Sequence, residues 1–252
     1  MALCPSCGNT KYKKLSFGGY LYQDTVMPLQ KCAHCKLKYV SHNLTQAEID
    51  EFYNRDEYFD SEYIGGAGGD YASNKLAMEE KADKVFRTLN RFKSTGKLLD
   101  TGCAGGFSLK VAHDTYGYDA YGAEVSKMMS QFAEKRGMKV CCGSTDAVPT
   151  SWGSFDAIYL GDVLEHVPTP NAFIQKIRAR LSEGGVLVLE VPLSYNLTLS
   201  GLAIGFCNML CGRFGYRYFL PAQHRASFIA KPPYHLLMFN CSSMDYFFWE
   251  LQ

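Results

Sequence analysis

Two pairs of cysteines near the N-terminus have the spacing of metal ligands. Cys4 and Cys7 form one Cys-x-x-Cys turn, and Cys32 and Cys35 form a second one. Such a turn lets two thiolates face one metal ion, and two turns complete a tetrahedral shell of four sulfurs at about 2.3 Å. Because four protein ligands leave no coordination position open, the pattern predicts a structural Zn²⁺ ion. Four buried or redox-active thiols are the alternative.

The sequence around these cysteines predicts a zinc ribbon. Short strand-like runs lie between and after the two pairs, and Gly18-Gly19 is predicted to form the turn between them. The start of the chain has neither the basic nor the apolar region of a secretory signal. We therefore expect a cytoplasmic protein, because thiols stay free or bind metal in a reducing compartment.

A glycine-rich turn in the middle of the chain indicates a nucleotide site. The apolar run that ends at Asp100 is followed by the turn Gly102–Gly106 and then by a helical run. Glycines let the backbone and the helix N-terminus come close to a ligand. A second predicted strand ends at Glu124, 22 residues after Gly102. This offset is typical of a βαβ unit whose carboxylate binds a ribose diol, although a simple exposed charge is the alternative.

Strands and helices alternate around this turn. Five apolar strands are predicted between residues 97 and 191, and each is separated from the next by a helix or a turn. The last of these helices begins at Thr169-Pro170, and Gly184-Gly185 is predicted to end it. The alternation predicts the α/β class, with a doubly wound, Rossmann-like parallel sheet that binds its ligand at the carboxyl edge.

Three segments of this region resemble the class I S-adenosylmethionine-dependent methyltransferases. They are Leu98–Gly106 with the acid Glu124 after the second strand, Ser154–Ile158, and Val163–Val167. With the four cysteines, the chain is most similar to the bacterial subgroup in which an N-terminal Cys4 zinc ribbon precedes the methyltransferase core. That subgroup is associated with sugars and surface polysaccharides. The resemblance implies S-adenosylmethionine as cofactor and a class I methyltransferase fold.

The resemblance also implies which residues bind the cofactor. Asp100 and the turn Gly102–Gly106 would face its methionine end, and Glu124 would take the ribose hydroxyls. Ala104 stands where the family most often has glycine. The implied cofactor-binding residues are Asp100, Gly102, Cys103, Ala104, Gly105, Gly106, Glu124, Val125, Thr145 or Asp146 at the adenine amine, and Leu160 and Gly161 at the methionine side.

Two histidines are the candidates for catalysis. Methyl transfer from a sulfonium mainly needs alignment and the exclusion of water, but an oxygen acceptor of high pKa also needs a base. His166 follows the fourth predicted strand, where a structural role is the alternative. The resemblance aligns His235 with a His-x-x-x-Phe-Ser element near the acceptor. Only Tyr234-His235 remains of the Tyr-His-Glu-His string of sugar C-methyltransferases, which argues against C-methylation.

The chain is divided by these signals into four parts. The predicted parts are a zinc ribbon over 1–44, a helical linker and N-terminal helix over 45–93, a cofactor-binding core over 94–192, and a lid and acceptor-site segment over 193–252. No charged residue occurs between Val191 and Gly212. We expect this run to form a lid. An oligomer contact, or membrane contact through 197–212 with a lipid-linked acceptor, are the alternatives.

The last part is short for the fold that the resemblance implies. Members of the family add two more strands after the helix that begins near Ser242, and the sequence ends at Gln252. An open sheet edge invites aggregation unless it is covered. We therefore expect either a longer native chain or a homodimer that covers the edge.

Composition and charge limit the function classes. The chain has 26 basic and 25 acidic side chains, so its net charge gives no general affinity for phosphate, and nucleic acid is not the expected partner. The expected function is methyl transfer to an oxygen or nitrogen atom of a small or glycan-like acceptor, such as a nucleotide sugar, a surface polysaccharide or a lipid-linked glycan. The alternatives are a zinc-ribbon RNA methyltransferase, favoured by six Lys against one Asp in residues 1–40, and a non-catalytic binding protein.

Overall fold

The structure is a computed structural model that describes residues 3–22, 24–42, 44–54, 75–194 and 235–250. Its strands are β1 (Tyr12–Tyr22), β2 (Thr25–Cys32), β3 (Lys38–Val40), β4 (Lys97–Thr101), β5 (Asp119–Glu124), β6 (Lys139–Cys142), β7 (Phe155–Gly161), β8 (Leu181–Glu190) and β9 (Leu237–Met238). Its helices are α1 (Gln46–Tyr53), α2 (Lys75–Leu89), α3 (Phe107–Asp114), α4 (Lys127–Lys135), α5 (Pro170–Arg178) and α6 (Cys241–Glu250).

The chain divides into two compact units. Unit 1 contains the N-terminal residues up to Leu44, the segment Leu164–Asn171, and the chain from Val191 onward. Unit 2 contains Thr45–Val163 and Ala172–Glu190. Unit 1 is therefore assembled from three segments that are far apart in the sequence.

Unit 2 is built on a five-stranded parallel sheet. The strand order is β6-β5-β4-β7-β8, so the order along the chain reverses between β4 and β7. Ligands of doubly wound sheets bind at such a reversal, outside the carboxyl ends of the strands. The predicted α/β class and the Rossmann-like sheet are confirmed.

The apolar stripe of α2 packs on one face of this sheet. Ala82, Phe86 and Leu89 recur at helical spacing and are buried with Leu98 of β4 and Tyr118. The Phe86 ring lies 5.6 Å from the ring of Tyr159 on β7, measured between centroids. Burying a side chain of this size contributes about 2 kcal/mol, so this helix is fixed on the sheet by its apolar face.

The predicted end of α5 was wrong. This helix ends at Arg178, and Gly184-Gly185 lies within β8. The strand begins early because Leu181 pairs with Phe155 of β7, after which the register shifts before Ala157 pairs with Val186. A glycine pair suits such an irregular register as well as it suits the end of a helix.

The sheet of unit 1 is antiparallel and has the strand order β1-β2-β3-β9. The predicted turn at Gly18-Gly19 was wrong. β1 continues to Tyr22, which pairs with Thr25, and Asp24 adopts a φ of +59° between the two strands. Gly19 instead follows a register shift within β1, where the strand is irregular.

A segment near the C-terminus completes this sheet. Leu237 and Met238 of β9 pair with Tyr39 and Lys38 of β3. The helix α6 follows at once, and its start is capped because Asn240 and Ser243 exchange hydrogen bonds between side chain and backbone, at 2.8 and 3.0 Å. Phe239 and Phe247 are fully buried in this unit, with ring centroids 5.8 Å apart.

No helix among the described residues is both long enough and apolar enough to cross a membrane. The predicted lid and the predicted membrane contact at 197–212 lie outside the described residues, apart from the first residues of the uncharged run up to Ser194.

Candidate functional site

The four N-terminal cysteines converge in unit 1. The sulfur of Cys4 lies 3.5 Å from that of Cys35, and the sulfur of Cys7 lies 3.5 Å from that of Cys32. All four sulfurs lie within 4.8 Å of one another and none forms a disulfide. Four bonds of about 2.3 Å to one tetrahedral ion place the sulfurs about 3.8 Å apart. The donor set and its spacing therefore fit a Zn²⁺ ion.

The two Cys-x-x-Cys turns share one backbone conformation. The residue after each pair has a left-handed φ, +67° at Gly8 and +65° at Lys36. In both turns the amide of the first cysteine donates to the carbonyl five residues later, from Cys4 to Asn9 at 3.0 Å and from Cys32 to Leu37 at 2.9 Å. Because the two turns have the same geometry, each directs its two sulfurs toward the same cluster of four.

The sulfurs influence one another strongly. The hydrogen bond with Cys35 lowers the pKa of the Cys4 thiol to about 5. The same contact, together with burial, raises the pKa of Cys35 above its usual range. Burial raises the pKa of Cys7 to about 11. Crowded thiols cannot all ionise alone, and a bound dication removes this conflict.

Both histidine candidates lie in a second cluster in unit 1, together with Glu165. One carboxylate oxygen and one nitrogen of each ring, from Glu165, His166 and His235, all lie within 4.8 Å of one another. His166 Nε2 is 3.8 Å from Glu165 Oε1, and the two imidazole centroids are 5.0 Å apart. The sequence identified each histidine separately. It missed Glu165, because no local pattern shows that this side chain turns inward.

The backbone around His235 is held by the antiparallel sheet of unit 1. The amide of His235 donates to the Tyr20 hydroxyl at 3.3 Å, and the amide of Val40 donates to the carbonyl of Leu236 at 2.8 Å. The amide of Leu236 donates in turn to the carbonyl of Glu165 at 2.8 Å. The two chain segments that carry the cluster are thus bonded directly to each other.

Burial keeps His166 neutral. Its side chain is 15% exposed, and burial followed by the nearby His235 lowers its pKa to about 3. The imidazole of His166 therefore keeps a free electron pair on one ring nitrogen at neutral pH.

The glycine-rich turn of unit 2 lies between β4 and α3. Gly102, Ala104 and Gly106 all have left-handed φ angles, between +45° and +84°. Amides of the turn point at the neighbouring strand, since Gly102 donates to the carbonyl of Ala123 at 2.7 Å. The alanine at 104 takes a conformation that costs a residue with a Cβ about 1–2 kcal/mol, so the surrounding contacts must hold it.

Glu124 provides one of these contacts. Its Oε2 accepts from the amide of Ala104 at 2.8 Å, and its Oε1 accepts from the amide of Ser126 at 2.7 Å. The residue is 5% exposed, which excludes the alternative of a simple surface charge. Burial raises the pKa of Glu124, and the bonds from the backbone amides oppose that rise.

Asp100 lies at the end of β4 beside this turn. It is buried, and it accepts a hydrogen bond from the hydroxyl of Ser108 on α3. Burial raises the pKa of Asp100 to about 7, against the Ser108 bond and with a smaller contribution from the charge of Glu124. Two buried acids with raised pKa values at one sheet edge indicate a site that receives a polar or cationic ligand.

The remaining predicted residues follow the carboxyl ends of neighbouring strands. Thr145 is buried and Asp146 is exposed in a short 3₁₀ turn after β6, where Asp146 pairs with Lys176 at 2.6 Å. Leu160, which is fully buried, and Gly161 form the end of β7. Val125 follows β5 directly. Strand topology therefore brings all the predicted cofactor residues to one edge of the sheet in unit 2.

Two side chains that the sequence did not single out support this edge. The Arg136 guanidinium donates to the carbonyl of Gly105 at 2.5 Å and lies 4.1 Å above the Phe107 ring. Lys81 of α2 pairs with Asp162 and, at 3.3 Å, with Glu190. Lys81 lies on α2 and Arg136 directly follows α4, and only the fold shows which partner each of these charged residues reaches.

Parts of the chain are similar in sequence to known proteins. A family model described as a methyltransferase domain matches residues 73–231, which is more than half of the chain. A ubiquinone biosynthesis O-methyltransferase of Dinoroseobacter shibae is 27% identical over 142 residues, covering 52% of this chain and 56% of that protein. An uncharacterized protein of Methanocaldococcus jannaschii is 31% identical over 70 residues, covering 28% and 34%. The chain thus spans about a third to about half of these curated relatives.

Solved structures with a similar fold include two methyltransferases. A magnesium protoporphyrin IX methyltransferase from Synechocystis, with bound S-adenosylhomocysteine, aligns with a TM-score of 0.48 at 17% identity, over 66% of this chain and 79% of that one. A sugar N-methyltransferase from Streptoalloteichus aligns with a TM-score of 0.41 at 24% identity, over 47% and 50%.

Proposed function

The chain belongs to the methyltransferase-domain family, and from this premise we propose that it transfers a methyl group from S-adenosylmethionine to an oxygen or nitrogen atom of a small or glycan-like acceptor. One observation carries the proposal. Two buried acids, Asp100 and Glu124, flank a left-handed glycine-rich turn at the carboxyl edge, beside the point where the strand order reverses.

The chemistry of Glu124 fits a ribose. A carboxylate has about four acceptor positions, and the amides of Ala104 and Ser126 use one on each oxygen. The amide of Val125 also interacts with this carboxylate, and the positions that remain can accept the ribose hydroxyls. Because Glu124 also holds the turn, it would couple the shape of the turn to the bound ribose.

Asp100 and the turn would bind the methionine end. When bound, the cofactor supplies a methyl group activated by a positively charged sulfur. The carboxylate of Asp100 would face the cationic part of this ligand, and the glycine-rich turn would lie against its methionine end, where the lack of side chains allows a close approach. We assign supporting contacts to the other predicted residues, namely Gly102, Cys103, Ala104, Gly105, Gly106, Val125, Thr145 or Asp146, Leu160 and Gly161.

The acceptor atom is oxygen or nitrogen in this proposal. The curated relative from Dinoroseobacter shibae is named as an O-methyltransferase, which supports oxygen. A hydroxyl acceptor must lose a proton, and we assign that step to the pair His166 and His235. The pKa of about 3 makes His166 a weak base, so His235 is the stronger candidate of the two.

We assign a structural Zn²⁺ ion to Cys4, Cys7, Cys32 and Cys35. Four sulfurs within 4.8 Å of one another and two turns of the same conformation support this assignment. The ion would fix the ribbon sheet whose third strand pairs with β9, and so would help to place His235.

Binding of the cofactor is the direct test. Calorimetry should detect S-adenosylmethionine binding to the wild-type chain, and Glu124→Gln should weaken it about 10- to 100-fold, since a hydrogen bond to a charged group contributes about 1.5–3 kcal/mol. Glu134→Gln, at an exposed position of α4, is the matched control and should bind as the wild type does. Equal affinities for all three proteins would contradict the assignment of Glu124.

A transfer assay separates the function classes. Radiolabelled methyl groups should appear on one member of a panel of nucleotide sugars and lipid-linked glycans. Cofactor affinity without transfer to any member would favour a binding protein. Salt-dependent retention of RNA with transfer to it would favour the RNA methyltransferase.

A further inference from the structure

We propose that Glu165, His166 and His235 form a second metal site, which binds one divalent cation of the first transition series and is separate from the four-cysteine site. The inference does not depend on the proposed methyl transfer. It rests on how these three side chains are brought together within unit 1.

The donor set is that of a metal site. Two imidazole nitrogens and one carboxylate oxygen bind Zn²⁺ in hydrolytic enzymes and Fe²⁺ in others, and all three atoms are borderline or hard ligands that suit such ions. The three atoms lie within 4.8 Å of one another in the structure. Among the described residues, the four cysteines are the one other group of potential ligands that meets this criterion.

The spacing of the donors needs little adjustment. Bonds of about 2.0–2.1 Å to a tetrahedral ion place ligand atoms about 3.4 Å apart. Oε1 of Glu165 and Nε2 of His166 are already 3.8 Å apart. Small rotations of the side chains would close the triangle to bonding distances, without a change of the backbone.

Burial makes a cation favourable at this position. The side chain of Glu165 is 1% exposed, and a carboxylate removed from water is costly unless positive charge or hydrogen bonds compensate it. The neighbouring side chain of His166 is itself 15% exposed. A dication between these groups would supply positive charge where water is largely excluded.

The backbone holds the three ligands before any ion binds. Glu165 and His166 lie in one 3₁₀ turn, Leu164–His166, and the carbonyl of Glu165 accepts from the amide of Leu236, next to His235. The carbonyl of Leu236 is bonded in turn to Val40 of β3. A site that is preorganised in this way loses less entropy when it captures an ion.

Three protein ligands leave coordination positions open. Structural zinc sites are closed by four protein ligands, whereas sites with three protein ligands bind water or a substrate atom in addition. The proposed site would therefore accept an oxygen ligand, such as a hydroxyl or carboxylate of a small molecule. A ring nitrogen that binds the ion cannot also act as a general base. When the metal is bound, His235 is therefore a ligand and does not remove the proton from the acceptor.

Metal content and cobalt spectra test the site in the full chain. Elemental analysis of the purified wild type should give about two equivalents of metal per chain, and Glu165→Gln and His235→Asn should each give about one. In protein produced with Co²⁺, the intense sulfur-to-cobalt charge-transfer bands of the four-cysteine site should remain in both variants. The weaker visible bands of a nitrogen and oxygen site should disappear.

His113→Asn is the matched control, because His113 is exposed in unit 2 and lies outside both groups of potential ligands. It should retain about two equivalents. His235→Asn changes a half-buried residue and keeps the inference testable where Glu165→Gln does not fold. A wild type with metal bound through sulfur alone, or variants that keep the second equivalent, would overturn the inference.

Calorimetry with S-adenosylmethionine on the same samples separates this inference from the proposed function. A chain with two metal sites and no cofactor affinity would refute the function and leave the second site standing. A chain that binds the cofactor but holds metal through sulfur alone would refute the second metal site and leave the proposed function standing.

Discussion

Asp100 is a carboxylic acid enclosed by the fold at the end of β4, and its burial has a cost that depends on pH. The ordinary pKa of 3.8 rises to about 7 in the folded protein. The folded state therefore holds this proton more tightly than the unfolded chain. The contribution of the Asp100 proton to the stability of the fold is fully present below about pH 4 and is lost as the pH rises through about 7.

Asp100→Asn should remove this dependence on pH. We expect the variant to be more stable than the wild type at pH 8 by a few kcal/mol, because each pKa unit corresponds to about 1.4 kcal/mol. The amide keeps an oxygen that can accept from Ser108. Urea denaturation at about pH 4, 6 and 8 measures the difference in the free energy of unfolding between the wild type and the variant.

Asp119→Asn is the control for this series. The bond from Lys139 lowers the pKa of Asp119, so its removal should leave the slope between about pH 4 and 7 unchanged. Parallel stability curves for the wild type and Asp100→Asn would show that Asp100 does not carry the effect.

Single residues also show the limits of sequence reasoning. The offset between Gly102 and Glu124 is local, so it predicted that both lie at one sheet edge. Glu165 and His235 are 70 positions apart in the sequence, and no spacing rule connects them. Their contact depends on β9, a strand of two residues that is too short to leave a pattern.

At the scale of elements, the two Cys-x-x-Cys turns provide an internal comparison. They have the same backbone form but carry glycine at one left-handed position and lysine at the other, Gly8 and Lys36. A Cβ added at Gly8 would meet no atom within 4 Å. The effect of a substitution there is therefore one of backbone conformation alone.

Gly8→Ala should lower the free energy of unfolding by about 1 kcal/mol, the cost of a left-handed residue with a Cβ. Lys36→Gly should raise the free energy of unfolding, because glycine adopts the left-handed conformation without this cost. The gain is reduced by the loss of the hydrogen bond from Lys36 Nζ to the carbonyl of Ala33. Thermal and urea denaturation in the presence of zinc measure both. Changes of the same sign in the two variants would contradict the shared conformation.

Glycine pairs show why some elements were predicted wrongly. Gly18-Gly19 and Gly184-Gly185 were interpreted as a turn and as a helix end, whereas both lie in strands at shifts of register. Glycine is permissive, so it allows a turn, a bulge or a helix end equally well. Only the pairing partners decide among these, and those partners are distant in the sequence.

At the scale of the whole molecule, the four-cysteine cluster and the histidine cluster belong to one unit, whereas the proposed cofactor residues belong to the other. Replacement of one of the four cysteines should therefore affect methyl transfer more strongly than S-adenosylmethionine affinity. Cys7→Ser should lower zinc content and methyl transfer at least 10-fold, because it removes a ligand from the proposed structural zinc site. It should leave S-adenosylmethionine affinity within about 2-fold of the wild type, because the proposed cofactor residues lie in unit 2.

Cys241→Ser is the control for this prediction, since Cys241 is an exposed cysteine of the same unit at the start of α6. It should change none of the three quantities, which are zinc content, methyl transfer and S-adenosylmethionine affinity. Elemental analysis, calorimetry and the transfer assay measure the three effects. Equal losses of affinity and of transfer in Cys7→Ser would show that the two units are not energetically separable.

The pairing of β3 with β9 has a consequence for synthesis on the ribosome. Tyr39 pairs with Leu237, so β3 lacks this partner strand until nearly 200 further residues have been translated. At about 5–20 residues per second this takes about 10–40 seconds. The nascent chain must keep an edge strand from pairing with other chains for that time, and early capture of zinc by the cysteines would help to protect it.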